Sequence, residues 1–326
     1  MIWLKITMAA LMSGALFAAV DFVLPPRPPQ PFTIQISDWP GDQLFALIEP
    51  LELAPPARLV RLEIRRGGRE APARDVVEAF RAGLADAALI GLERLPELLS
   101  DEVRVIYTCD EVVGGGGLVA APGVMRTADL GNRPIGITFG GASDPLLAAL
   151  LGRAGLDAGS VSLVTLAPEA AEAALRAGRV GAVALLSPSR IKGLQDTLGS
   201  VLLASTQDLA GRSTHVLVVK EGRIPDQRDH LVAVLRALSR SARTCRVTPE
   251  RCLELLASAS GRAASDWRRD FEAVRLLDAA DNHALLGGGN DGPLARRLAA
   301  LPGLTRPLPP AMEWLDPSLA EEAARP

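Results

Sequence analysis

Beyond residue 31, apolar positions fall into short unbroken runs separated by stretches with helical spacing. Phe32–Ser37, Arg58–Ile64, Ala87–Ile90, Val103–Cys109 and Gly117–Ala121 read as strands, because each is brief, apolar and rich in β-branched or small residues. Gly41–Pro50 and Ala73–Ala82 read as helices between them, the second ending at Gly83. A second series follows, with strands at Ile135–Thr138, Val161–Thr165, Val180–Leu185, Val201–Ala204 and His215–Val219. Pro145–Ala154 and Glu169–Ala177 are the intervening helices. From Gln227 onward the spacing is mostly helical, over Arg228–Thr244, Pro249–Ser258, Ala264–Leu277 and Pro293–Leu301. Such alternation implies an α/β fold of mostly parallel sheets flanked by helices.

The stretch Arg133-Pro-Ile-Gly-Ile-Thr-Phe-Gly-Gly-Ala-Ser-Asp144 carries the clearest sign of a binding site. A buried strand over Ile135–Thr138 runs into Gly140-Gly141, where backbone can approach a ligand closely. Ser143 or Asp144 can cap the next helix, and Pro145 suits its first turn. The free N–H groups at that helix start attract a negative ligand group. Elsewhere, Val76–Ile90 and Glu172–Leu185 echo each other as helix, glycine C-cap and short apolar strand, which hints at two related halves.

Residues 1–24 stand apart. Lys5 precedes an apolar run from Ile6 to Val20, and Pro25–Pro31 forms a stiff proline-rich linker. This pattern predicts export, with the segment either cleaved as a signal peptide or retained as an inner-membrane anchor. The chain has 326 residues, is 48 % hydrophobic and only 4 % aromatic, and carries a formal charge of −3. Length and composition allow two folded lobes, and the charge gives no footprint for nucleic acid. Of the three cysteines, Cys109 lies in an apolar strand as a buried thiol. Cys245 and Cys252 flank Thr248-Pro249. They are too far apart on a continuous helix for a disulfide but within reach if the helix breaks there. No His/Cys cluster suggests zinc, and Gly287–Gly292 lacks the lysine ending of a phosphate loop. No Ser/His/Asp order, paired glycosidase carboxylates or HExxH motif is present.

Taken in order, several segments resemble the type II periplasmic substrate-binding proteins of ABC importers, in the nitrate, sulfonate, taurine and thiamine-precursor branch. They are Ile36-Ser-Asp-Trp-Pro-Gly41, Ala79-Phe-Arg-Ala-Gly-Leu-Ala-Asp-Ala-Ala88, Val105–Asp110 with Gly114–Val119, Ala128–Ser143 and Thr214–Val219. The resemblance spans roughly residues 32 to 285. It implies a two-lobed clamshell, with lobe 1 at 32–120 plus 212–326, lobe 2 at 121–211, and hinges near Gly114–Ala121 and Gln207–His215. It implies an extracytoplasmic, periplasmic receptor, not an enzyme, that holds a small polar or anionic organic molecule in the cleft. The receptor would need no cofactor or metal, act as a monomer and deliver its ligand to an ABC permease. The alternatives are a membrane-anchored sensory or accessory subunit, or an enzyme of thiamine-pyrimidine or menaquinone-pathway type on the same fold.

The ligand residues implied are Asp38, Trp39 and Gly41 on the first loop, Asp110 at a strand end, Thr138, Gly141, Ala142 and Ser143 at the glycine turn, and Ser187 and Thr214 by position. His215 reads equally as a cleft residue or a satisfied strand residue. The chain departs from the family pattern at Val112 and Gly116, where Ser and Asp are usual. It departs again at Gly181 in place of Asp, and at Leu186-Ser-Pro188 in place of Trp-Glu-Pro.

Overall fold

The computed structural model describes residues 31–37, 39–56, 60–66, 76–130, 132–138, 145–209, 214–301 and 307–325. The N-terminal segment and proline-rich linker therefore lie outside the described residues. Among the described residues two sheets form. The first joins β1 (Pro31–Ile36), β2 (Arg61–Arg66), β3 (Ala87–Gly91), β4 (Val103–Val112), β10 (Thr214–Lys220) and β11 (Val274–Leu276), in the order β11-β4-β10-β3-β1-β2. The second joins β5 (Gly117–Ala120), β6 (Ile135–Ile137), β7 (Leu163–Thr165), β8 (Ala182–Leu185) and β9 (Val201–Ser205), in the order β7-β6-β8-β5-β9. The α/β class and the paired helix-flanked sheets agree with the sequence reading.

Four strands of each sheet point the same way, and β10, β11 and β5 run against them. β1 runs parallel to β2 and β3, but β10 inserts antiparallel between β3 and β4, and β11 is antiparallel to β4. In the second sheet β6 is parallel to β7 and β8, whereas β5 is antiparallel to both β8 and β9. A strand buried on both faces reads as the same apolar run whichever way it points, so the pattern carried no sign of these reversals.

Each sheet has its own apolar core. The first is built from Ile34, Ile36, Leu89, Val105, Tyr107 and Leu217 together with the C-terminal helices, and the second from Leu118, Val119, Ile137, Leu147, Leu150 and Val183. The helices of the first half are α1 (Gln43–Ala46) and α2 (Val76–Arg81), and those over the second sheet are α3 (Pro145–Arg153), α4 (Pro168–Arg176) and α5 (Pro188–Leu198). The long helix α6 (Ile224–Val247) buries Leu231, Val234, Leu235, Leu238, Ala242 and Cys245, spaced as one helical face must be. The region predicted as a single helix over Ala264–Leu277 is instead α8 (Ala264–Glu272) followed by β11, after α7 (Pro249–Ser260). Then come α9 (Ala279–Leu286), α10 (Pro293–Ala299) and α11 (Ser318–Ala324). Near the C-terminus the chain returns to β4: Val105 N donates to Trp314 O at 2.7 Å, and Asp316 N to Val105 O at 3.0 Å.

The backbone breaks at Thr248 (ψ 65°), between α6 and α7. The break brings Cys245 and Cys252 to a Cα separation of 5.6 Å, where they are bridged, and Cys109 is buried and free. The bridge closes a short loop, so replacing both cysteines by serine is expected to lower stability by about 2 kcal/mol. Urea unfolding of the double variant measures this.

Candidate ligand-binding cleft

The site begins at the end of β1. After Ile36 the chain turns through Trp39-Pro40-Gly41-Asp42 into α1, closed by Asp42 N donating to Trp39 O at 3.1 Å. Asp42 is fully buried. One carboxylate oxygen accepts from Ser37 N at 2.9 Å and Ser37 Oγ at 2.7 Å, and the other lies 2.8 Å from His215 Nδ1. His215 stands on β10 beside Asp110 of β4, its register partner.

Trp39 ties these strands to the turn. Its Nε1 donates to Asp110 Oδ2 at 2.7 Å, and its indole stacks on the His215 ring, with centroids 4.9 Å apart and planes 25° apart. His215 N donates to Asp110 Oδ1 at 3.4 Å, and the Thr214 hydroxyl donates to the Asp110 carbonyl oxygen. Glycine at position 41 is required by this packing. A Cβ there would lie 1.7 Å from Asp110 Oδ2, so any side chain would displace the carboxylate from Trp39.

The charges are set by these contacts. Burial pushes the Asp110 carboxyl up to about 6, with nearby Asp42 adding to the rise, while His215 and the Trp39 N–H act against it. Burial opposes a charge on His215, yet Asp42, with Asp110 and Glu93 behind it, carries its pKa up to about 9. His215 is therefore an imidazolium at neutral pH, with Asp42 as its direct counter-ion.

The indole and imidazolium form one wall of a cleft between the two sheets. Val112 and Glu93 belong to the first half, and Leu146 of α3, Leu186 just after β8 and Thr206 just after β9 complete the lining. Thr206 also binds the crossover: its Oγ1 accepts from Gly116 N at 2.8 Å. The cleft thus offers an aromatic face, three aliphatic side chains, the Glu93 carboxylate, the Thr206 side chain and one protonated ring. Among the described residues no group of three His, Cys, Asp or Glu is placed to hold a metal ion.

Of the ligand residues implied by sequence that are described, Trp39 lines this cleft, as does His215, which the sequence left open. Asp38, Gly141, Ala142 and Ser143 lie outside the described residues. Gly41, Asp110 and Thr214 are buried and support the wall from behind. The Thr138 hydroxyl donates to the Ala184 carbonyl at 3.0 Å, tying β6 to β8. Ser187 caps α5, and its hydroxyl lies 3.2 and 3.3 Å from the two oxygens of Asp270. Sequence reasoning missed Asp42 altogether and left His215 open. Val112 and Leu186, two departures from the family pattern, both line the cleft, and at Val112 it is apolar where that pattern has a serine.

Comparison with solved structures supports the architecture. The alkanesulfonate-binding protein SsuA from Xanthomonas axonopodis pv. citri, bound to MOPS, is 19 % identical, with a TM-score of 0.60 over 84 % of this chain and 96 % of that one. The periplasmic nitrate-binding protein NrtA from Synechocystis PCC 6803 is 12 % identical, with a TM-score of 0.65 over 91 % and 89 %. The ligand-binding component of an ABC-type import system from Staphylococcus aureus is 17 % identical, with a TM-score of 0.66 over 91 % and 100 %. At these identities the likeness shows a shared fold, that of periplasmic binding proteins. No curated protein matches the sequence. Residues 70–257 match the NMT1-like family, more than half of the chain, and the protein, with its two mixed sheets and the cleft between them, belongs to that family.

Proposed function

We propose that the protein is an extracytoplasmic solute-binding receptor that captures a small polar or anionic organic molecule between two lobes and presents it to the permease of an ABC importer. The lobes are 32–120 with 212–326, and 121–211. The observation that carries this reading is the Trp39–His215 pair, held by Asp110 and Asp42 and facing the second sheet across the cleft. Flat apolar parts of a ligand rest on the indole, and the imidazolium donates to an acceptor atom. Asp38, Gly141, Ala142 and Ser143 complete the contacts. Because Asp42, Asp110 and Glu93 surround the single imidazolium, the floor suits a neutral or singly charged acceptor group and disfavours a dianion. The N-terminal segment exports the chain and is either cleaved or kept as an anchor. Among the described residues no helix is long and apolar enough to cross a membrane.

Calorimetry with taurine, MOPS, nitrate, aminopyrimidines, aromatic monocarboxylates and phosphate monoesters tests the reading. At least one neutral or monoanionic compound is expected to bind, and the phosphate dianions are not. If no compound in the panel binds, or if binding survives both Trp39→Ala and His215→Asn, the reading fails.

A further inference from the structure

Outside the cleft, one buried cluster joins the halves of the molecule. Asp270 lies on α8, which leads directly into β11 of the first sheet, and it is 3 % exposed. Its serine partners lie on the other side. Ser189 N donates to it at 3.0 Å, Ser189 Oγ at 3.2 Å, and the Ser187 hydroxyl at 3.2 and 3.3 Å. These serines form the first turn of α5, whose Ile191 and Leu194 are buried in the core of the second sheet. Arg262, just before α8, completes the cluster, with Nη2 at 2.5 Å from Asp270 and 3.0 Å from Ser189 Oγ. The guanidinium is fixed in turn by lying 4.1 Å over the ring of Trp267, a residue of the first core.

We propose that Asp270 and Arg262 form an inter-sheet clasp, a third support beside the two crossovers, which sets the angle between the two halves of the molecule. Three physical arguments favour this. A carboxylate that receives hydroxyl, backbone and guanidinium donors makes bonds stronger than neutral ones, and each has a narrow geometry. The carboxylate also sits at the start of α5, where the helix dipole favours negative charge. Burial then strengthens these bonds, since the cluster excludes the water that would otherwise compete for the carboxylate. The cluster sits next to the first crossover, because Val113 N donates to Ala273 O at 2.9 Å, three residues beyond Asp270. Rotation that opens the cleft therefore turns about the clasp.

Asp270 acts as a positioning residue, and its role does not depend on which solute binds. The test uses the full chain without ligand. Nitroxide labels are placed at Glu49→Cys, in the exposed turn after α1, and Ala173→Cys, on the exposed face of α4. Cys109 is buried and the other two cysteines are bridged, so the labels attach at the new thiols. Pulsed electron resonance is expected to give one narrow distance distribution with the clasp intact. Asp270→Asn should broaden it and shift it to longer distances, and Ser189→Ala should do the same to a smaller extent. Ser189→Ala removes one hydroxyl and keeps the backbone donor, so it carries the test if Asp270→Asn does not fold. A distribution that stays unchanged in the folded variants, whatever their stability, overturns the clasp. A failed ligand panel would leave the clasp standing, and an unchanged distribution would leave the receptor reading standing.

Discussion

Asp42→Ala is expected to destabilise the fold by about 3–5 kcal/mol, because it removes one partner of a buried ion pair and leaves the other. Three donors lose their acceptor at once: Ser37 N, Ser37 Oγ and His215 Nδ1. The loss should depend on pH. His215 is raised from its ordinary 6.5 to about 9 in the folded protein. A raised basic group contributes stability that is fully present below the unfolded value and disappears as pH climbs through the folded one. The urea midpoint of the unaltered protein should therefore fall between pH 6.5 and 9, and Asp42→Ala should flatten that decline. Asp110, raised by burial to about 6, acts in the same direction at lower pH, its stabilising share fading from about pH 4 to 6. Asp42→Asn keeps an acceptor for Ser37 but no charge, so it should lose the pH dependence and less of the stability. A midpoint in Asp42→Ala that still falls across this window would show that Asp42 is not what holds the proton on His215.

Trp39→Ala should be nearly as damaging, at about 3–5 kcal/mol for the loss of a buried indole. Trp39 is 7 % exposed, and its removal opens a void beside His215 while taking from Asp110 its side-chain donor. Trp39→Phe separates the two effects. It keeps most of the stacking area and deletes the Nε1 bond, for an expected cost of about 1–3 kcal/mol. Ligand affinity should fall about tenfold with alanine, as the aromatic face is lost, and much less with phenylalanine. Equal losses in the two variants, measured by urea unfolding, would assign the whole effect to the hydrogen bond.

Much of this fold was readable in advance because its strands are short and its helices well punctuated. The echo between Val76–Ile90 and Glu172–Leu185 corresponds to two helix–glycine–strand units, with Gly83 and Gly178 both left-handed, at φ 69° and 68°. The last strand was less legible. Val274–Leu276 has too little length to show a period of two, so it merged with the helix before it. Helix α5 was overlooked although Ser187-Pro188 is a sound start signal, a serine cap followed by proline at the first helical position.

The site was harder to read than the fold. Trp39 could be chosen because an aromatic residue on a loop is unusual in a chain with four tryptophans. His215 and Asp42 are 173 residues apart, and their pairing depends on β10 returning between β3 and β4. Asp270 meets Ser187 and Ser189 over about half that reach, 83 and 81 residues. Local pattern carries no information about such meetings, since only the completed topology creates them.

The strand order also dictates when each half can form during synthesis. The second sheet is made entirely of chain between Gly117 and Ser205, so every strand it needs is available once that stretch has emerged. The first sheet is different. Its centre waits for β10, its edge waits for β11, and β4 is finally paired by Leu315. Pairings across such sequence distances form slowly, because the intervening chain must first be brought to order. A growing chain therefore carries an apolar, half-built first sheet until β11 and Leu315 have been made, and this is the interval in which it most needs a chaperone to keep it from sticking to its neighbours.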